Sequence, residues 1–342
     1  MPIANKPIKR SKSWGLKSSN RKLSKLFGAP FDSYRARFHR AEKGLIPPFP
    51  LHLDVDITTR CNLRCPMCPA GNPAKSPFDG MARDLDIHLY RRALQEGARN
   101  DLCSIRIGIT GEPLIANHPD SWVLMAKEAG VLDIALITNG QKLTGDMSLK
   151  LIKAGLTRLM ISVDATNAET YKKMRPGGDF ELLIANIMEF LRIRKSLKSP
   201  LPLLRVSFVV TEKNQGQMES FAAIFSTLAD SLSFQSYIPM MEKKAYGPQL
   251  SAGGTPTGGL CPDPFTRMSL YANGSLYPCC SDFGRLAPIG NLSSMSLKEA
   301  WTHPLAQLAR RLQPQSGSPC ALCRGLSALR PQTKALLKEG AL

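Results

Sequence analysis

The chain has 342 residues, 43% hydrophobic and 21% charged, a balance that fits a globular protein and excludes a disordered or fibrous one. Its 45 Lys and Arg outnumber 27 Asp and Glu, giving a net charge of +18. No run of about 18 apolar residues occurs, and the N-terminus lacks the apolar stretch of a signal peptide, so neither a membrane span nor secretion is expected.

Residues 1–45 hold twelve basic residues against Asp32 and Glu42, a net of +10, and the remaining chain carries +8. This basic extension (1–47) reads either as a solvated, loosely packed segment or as a surface that steers an acidic partner or substrate. Its aromatics, Trp14, Phe27, Phe31, Tyr34 and Phe38, predict that part of it packs as a helix over about 31–43. No nucleic-acid-binding motif accompanies the charge, so nucleic acid is not expected as a partner.

From about residue 50, β-rich runs at 51–58, 102–109, 132–138, 158–163, 204–210 and 233–238 alternate with helical patterns. The helices fall near 84–98, 119–129, 145–154, 180–195 and 215–228. Such alternation predicts an α/β fold with a parallel sheet of βαβ units. Six strands are too few for a closed eight-stranded barrel, so a partial (β/α)6 TIM-like barrel over 48–240 is expected, with ligands at the C-terminal strand ends. A Gly/Pro/Ser/Thr-rich linker covers 241–260. Beyond it the alternation stops, and 261–326 reads as a small β-hairpin and helix unit followed by a tail, 327–342. Asn273-Gly274 predicts a type I′ hairpin turn, and a helix is expected near 296–309.

Nine cysteines, seven of them in close pairs or triplets, fit metal ligation better than disulfides and imply a reducing cytoplasm. Cys61, Cys65 and Cys68 stand on one short loop after the first strand, spaced C-x3-C-x2-C. Three thiolates are one fewer than a cubane iron–sulfur cluster needs, which leaves one iron for a non-protein ligand. An open zinc site is the alternative. In the C-terminal unit, Cys261, Cys279, Cys320 and Cys323 supply four sulfurs, enough to close a second cluster or a structural zinc site; Cys280 could replace Cys279. Cys103, inside the second strand, reads as a buried apolar residue.

The triplet after the first strand resembles the signature of the radical S-adenosylmethionine (SAM) superfamily. The resemblance implies a [4Fe-4S] cluster on Cys61, Cys65 and Cys68, with SAM on the unique iron. Thr110-Gly111-Glu112-Pro113 is similar to the Gly-Gly-Glu-Pro that holds the methionine amino group in relatives, with Thr110 in place of the first glycine. Met67 stands where an aromatic residue is common, and its backbone would contact adenine. Asn139 in Thr138-Asn139-Gly140, Ser162 and Asp164 in Ser162-Val163-Asp164, and Asn214 after the fifth strand match further cofactor contacts. Taken singly, these residues could instead be turn or helix-cap positions.

The C-terminal unit resembles the SPASM/twitch extension, whose auxiliary clusters are iron–sulfur. With no cysteine after Cys323, it looks like the shorter twitch form with a single [4Fe-4S] cluster. The spacing is similar to that of twitch dehydrogenases acting on secondary alcohols.

The function so implied is reductive cleavage of SAM to a 5′-deoxyadenosyl radical and hydrogen abstraction from a substrate. The expected outcome is net dehydrogenation, with the auxiliary cluster accepting an electron. A peptide or protein maturase and a non-catalytic iron–sulfur electron carrier are the alternatives. Partners would be a reductant such as flavodoxin or ferredoxin and a small-molecule or peptide substrate, acidic if the basic charge steers it. Lys243, Lys244, Tyr246 and Arg175 are candidate proton acceptors or anion contacts near the substrate, though each also reads as an ordinary loop residue.

Overall fold

The computed structural model describes residues 12–68, 83–236, 261–279 and 288–311. A ten-stranded sheet organises them, in the order β1-β7-β6-β5-β4-β3-β2-β8-β9-β10. Its centre is the run of six parallel strands expected from the sequence: β2 (His52–Val55), β3 (Ser104–Ile107), β4 (Asp133–Thr138), β5 (Arg158–Ser162), β6 (Leu203–Val210) and β7 (Ser231–Ser236). Helices connect them: α3 (Ile87–Arg99), α4 (Pro119–Glu128), α5 (Gly145–Ala154), α6 (Ala168–Met174), α7 (Phe180–Ser196) and α8 (Met218–Phe225). Because β2 and β7 do not pair, the barrel is open.

Strand alternation decides which side each residue serves. In β2 and the residues after it, Leu53, Val55 and Ile57 join the core under the helices, together with Ile105, Leu136, Leu159, Val206 and Phe208. His52, Asp54 and Asp56 face the barrel interior, where a purely apolar strand would have no reason to place them. Helix starts are capped as their sequences dictate. Asp86, Thr144 and Asp179 each accept a first-turn backbone N–H, contributing about 1 kcal/mol apiece. Gly155 ends α5 at φ +89°, which a residue with a Cβ adopts only under strain.

The structure refines the sequence reading in four places. The N-terminal extension is packed from Lys12 onward. Its strand β1 (Lys12–Trp14) pairs antiparallel with β7, and its helices α1 (Leu16–Phe27) and α2 (Ala29–Glu42) bury Leu23, Phe31, Tyr34 and Phe38 against Leu51, Cys103 and Leu203. Helix α2 matches the helix expected over 31–43 from its aromatics, whereas β1 and α1 were not expected.

Secondly, the C-terminal hairpin continues the barrel sheet instead of standing apart. After α9 (Asp263–Thr266), β8 (Arg267–Leu270) pairs parallel with β2, and β9 (Ser275–Tyr277) and β10 (Gly290–Asn291) follow antiparallel. Thirdly, its turn is not type I′. Gly274 has φ +82°, but Asn273 is not in the left-handed region, and the Gly274 N–H bonds the Tyr271 carbonyl across a four-residue turn. The helix expected at 296–309 is two, α10 (Leu297–Thr302) and α11 (Pro304–Arg311), since Pro304 interrupts the ladder.

Candidate active site

The cysteine loop leaves the C-terminal end of β2 through a clamp. Arg60 forks onto the Asp84 carboxylate at 3.1 and 2.5 Å, and the Thr58 hydroxyl donates to the same group at 2.6 Å. Within the loop the Leu63 N–H points at the Cys61 sulfur (3.4 Å), and the Cys68 N–H donates to the Cys65 carbonyl. Cys65 is buried, and burial pushes its thiol up to about 12; Cys61 and Cys68 are half-buried. Thiols held this way ionise by binding metal, so loading the site releases protons. Among the described residues, no three His, Cys, Asp or Glu side chains are close enough to share one metal ion. Three cysteines with no histidine or carboxylate among residues 61–68 form a donor set that fits a thiolate-held iron–sulfur cluster.

Beside this loop lies the segment after β3. Gly111 packs so tightly under the loop that a Cβ would stand 2.0 Å from the Thr58 carbonyl oxygen and 2.7 Å from that of Arg60. The Glu112 N–H donates to the Arg60 carbonyl at 2.8 Å, and Pro113 starts a 3-10 turn (Pro113–Ile115). The Glu112 carboxylate is buried and accepts from the Thr138 hydroxyl (2.6 Å), the Asn139 N–H (2.6 Å) and the Leu114 N–H (3.1 Å). These fill three of its roughly four acceptor positions. Burial raises its pKa even so, which leaves a carboxylate suited to an incoming ammonium.

Sequence reasoning missed Asp56. Fully buried, it accepts from the Thr110 N–H (3.1 Å) and hydroxyl, and the Ile109 and Gly111 N–H groups also point at it. Burial pushes its carboxyl up to about 6. It is the side chain that shapes the 109–111 turn. Thr110, with its hydroxyl turned toward Asp56, occupies the first-glycine position of the motif without pointing away from the protein. The signal in the sequence was the alternation His52, Asp54, Asp56 within an otherwise apolar strand.

On the far side, Asp164 has φ +63°, a left-handed conformation uncommon for a residue other than glycine. Four hydrogen bonds fix it there, three of them to Asp164 itself. Its carboxylate accepts from the Val209 N–H (2.6 Å) and the Arg175 guanidinium (2.5 Å), and the Asn214 amide donates to its carbonyl (3.0 Å) and to that of Val209 (2.8 Å). The Asn214 oxygen accepts from the Thr211 N–H, so Asn214 acts on the site through Asp164. Arg175 is buried with Nη1 4.0 Å from the Cys65 sulfur. Burial opposes its charge, but Asp164 and Cys65 outweigh burial and raise its pKa. A guanidinium held this way cannot accept a proton, which leaves the anion-contact half of the expectation for Arg175. Ser162 ends β5 and Met67 lies on the cysteine loop, and both are half-buried.

The structure thus brings Cys61, Cys65, Cys68, Gly111, Glu112, Asn139, Asp164 and Arg175 into one hydrogen-bonded unit. Cys261 and Cys279 lie elsewhere. Cys261 precedes β8 and Cys279 follows the antiparallel β9, so the hairpin returns the chain to the end of the barrel where β8 begins, opposite the triplet. There the Cys279 sulfur is 3.7 Å from the Asp263 carboxylate. Cys280, Cys320, Cys323, Lys243, Lys244, Tyr246, the linker 241–260 and the tail 327–342 lie outside the described residues.

Comparison with known proteins agrees with this geometry. The profile of the radical SAM superfamily matches residues 55–204, and that of the SPASM iron–sulfur cluster-binding domain matches 261–324. Residues 55–204 thus form a radical SAM domain, and residues 261–324 a C-terminal SPASM domain. Domains of these two kinds carry, respectively, a [4Fe-4S] cluster with SAM and an auxiliary iron–sulfur cluster.

Among curated proteins, the GTP 3′,8-cyclase of Alkaliphilus metalliredigens is 29% identical over 197 residues, 57% of this chain and 58% of that protein. The chain therefore spans less than two thirds of that relative. Among solved structures, SuiB of Streptococcus suis bound to the precursor peptide SuiA superimposes with a TM-score of 0.59 at 16% identity, over 82% of this chain and 70% of SuiB. BtrN in complex with AdoMet and 2-DOIA gives 0.50 at 14% identity, over 78% of this chain and 87% of BtrN. Both likenesses establish the partial-barrel fold. Among the described residues, no helix is long and apolar enough to cross a membrane.

Proposed function

We propose that the chain is a dehydrogenase of this superfamily, oxidising a small-molecule substrate. The observation that carries the reading is the single unit formed by the cysteine triplet, Glu112 and the Asp164–Arg175 pair, together with a second cysteine pair at the opposite end of the same barrel. When bound, the cofactors supply an electron that splits SAM, a 5′-deoxyadenosyl radical that removes a substrate hydrogen atom, and an auxiliary acceptor for the second electron.

The protein's own residues would do the rest. Cys61, Cys65 and Cys68 would hold the SAM-binding cluster; Cys261, Cys279, Cys320 and Cys323 would hold the auxiliary one. The Glu112 carboxylate would accept the methionine ammonium, and the absent Cβ of Gly111 lets the backbone approach. Thr110, Pro113 and Asn139 shape that contact, with Met67, Ser162 and Asp164 toward the nucleoside. Arg175 would offset the negative charge of three thiolates beside Cys65. Lys243, Lys244 or Tyr246 would take the substrate proton. The segments serving these roles are a barrel core over 48–240 and an auxiliary domain over 261–326. A flavodoxin or ferredoxin in a reducing cytoplasm would supply electrons.

A small-molecule substrate is favoured by the near-complete coverage of BtrN, 87%. The better superposition on SuiB, whose structure holds a precursor peptide, supports a peptide maturase as the second reading.

The test is anaerobic reconstitution followed by dithionite and SAM. The expected result is 5′-deoxyadenosine from the wild type, none from Cys65→Ala, and about eight irons per chain. Equal behaviour of the two proteins would refute the enzymatic reading, and about four irons with bound zinc would refute the auxiliary cluster.

A further inference from the structure

Asp56, the first residue after β2, is tied down at both its backbone and its side chain. Its N–H donates to the Leu270 carbonyl at the end of β8 (2.8 Å), which anchors it to the C-terminal hairpin. Its buried carboxylate takes four donors from one turn. These are the N–H groups of Ile109 (3.4 Å), Thr110 (3.1 Å) and Gly111 (3.5 Å), and the Thr110 hydroxyl. The turn has a second hold on the hairpin, since Ile109 packs against the Tyr271–Tyr277 ring pair.

Three consecutive amides converging on one carboxylate fix more than the amides themselves. A trans peptide points its C=O opposite to its N–H, so the carbonyls of Gly108, Ile109 and Thr110 are turned away from Asp56. The same hold sets how closely Gly111 approaches the cysteine loop, and Glu112 follows directly.

The titratable groups on the elements around Asp56 are His52 and Asp54 on β2, Arg106 on β3, Glu112 after the turn, Arg267 on β8 and Tyr271 just beyond it. Burial opposes the charge of Asp54, but Arg106, His52 and Arg267 outweigh burial and keep it ionised. Burial raises Glu112 and pushes Asp56 up to about 6, in each case against the pull of its hydrogen bonds. A test must therefore separate Asp56 from Glu112.

We propose that Asp56 is a positioning residue of the SAM site, its ionised carboxylate holding the 109–111 turn in the form that binds SAM, so that its protonation weakens binding. A protonated carboxyl brings a donor of its own to a place already filled by four donors, and the turn must give. Thr110, standing where relatives have glycine, is part of this device, because its hydroxyl favours the ionised form. The identity of the ligand rests on the radical SAM reading; the hold of Asp56 on the turn does not.

Equilibrium dialysis of SAM against the reconstituted protein from pH 5.5 to 7.5, with iron measured on each sample, reads the linkage. Wild-type affinity should fall about fourfold toward pH 5.5, as the ionised fraction falls through a pKa of about 6. Asp56→Asn should bind about tenfold more weakly at pH 7.5 and lose that part of the slope. Thr110→Val should move the midpoint of the profile upward, whereas Thr110→Ser should keep it at the wild-type value. These two variants carry the test if Asp56→Asn does not fold. Hydrogen exchange of the apoprotein reads the turn without cofactor: amides 109–111 should exchange faster in Asp56→Asn while β4 is unchanged. Wild-type affinity and slope in Asp56→Asn, or an unmoved midpoint in Thr110→Val, would overturn the linkage. Unchanged exchange at 109–111 would overturn the hold on the turn. No SAM binding by the wild type at any pH would overturn the radical SAM reading and the linkage with it, and the exchange result would still decide the hold.

Discussion

The side-chain amide of Asn139 donates to the Asn62 side-chain oxygen at 2.8 Å, joining the end of β4 to the middle of the cysteine loop. Asn139 also donates its backbone N–H to Glu112, so one residue sets the position of the loop and of the carboxylate.

Asn139→Leu removes this bridge and leaves the Asn62 oxygen without its donor, a loss of ~1–2 kcal/mol. The apoprotein should melt a few degrees lower, and maleimide should label Cys65 at least about fivefold faster. Unchanged labelling would mean that the loop is held by the Arg60–Asp84 clamp alone.

Glu112→Gln keeps the shape but removes the charge, and its amide nitrogen meets backbone donors. SAM affinity should fall by about ten- to a hundredfold, as for loss of a charge-assisted hydrogen bond, with iron content unchanged. Equilibrium dialysis of SAM and iron analysis on the same sample would check both.

The buried Asp164–Arg175 pair should show strong coupling. Arg175→Met strands a buried carboxylate and should cost ~3–5 kcal/mol in urea unfolding of the apoprotein. Asp164→Asn in the same chain should recover much of that loss, and simple additivity of the two effects would contradict the pairing.

Asp56 gives a pH signature. Its folded pKa of about 6 lies above the usual 3.8, so the folded state binds the proton more tightly. Stability from this group is complete below pH 4 and declines as pH rises through 6. Between pH 5 and 7 the apoprotein should lose about 1–2 kcal/mol through Asp56. Urea midpoints of Asp56→Asn should lack that component of the pH dependence.

Much of the site was legible because cluster chemistry demands a fixed residue type at a fixed spacing. Cys61, Cys65 and Cys68 could be read from one loop, and Glu112 from its tetrapeptide. Strand alternation placed the six barrel strands, since apolar faces such as Leu53-Val55-Ile57 have one stable partner. What escaped depended on distant partners. Asp56 matters through Thr110, and the partners of Arg175, itself a candidate from the sequence, are Asp164 and Cys65, pairings that no local pattern encodes. Helix α2 was legible from Phe31, Tyr34 and Phe38, whereas α1 was hidden because its charge describes the exposed face and Leu23 decides where it sits.

Strand β1 has a consequence for how the chain assembles. Lys12–Trp14 pair with Leu232–Phe234, some of the first described residues with the last strand of the barrel, about 220 positions away. During synthesis this strand has no partner until the barrel core has been made, and closing so long a loop is slow compared with the local βα contacts. Helices α1 and α2, which follow this strand and pack against Leu51, Cys103 and Leu203, thus settle after the sheet forms.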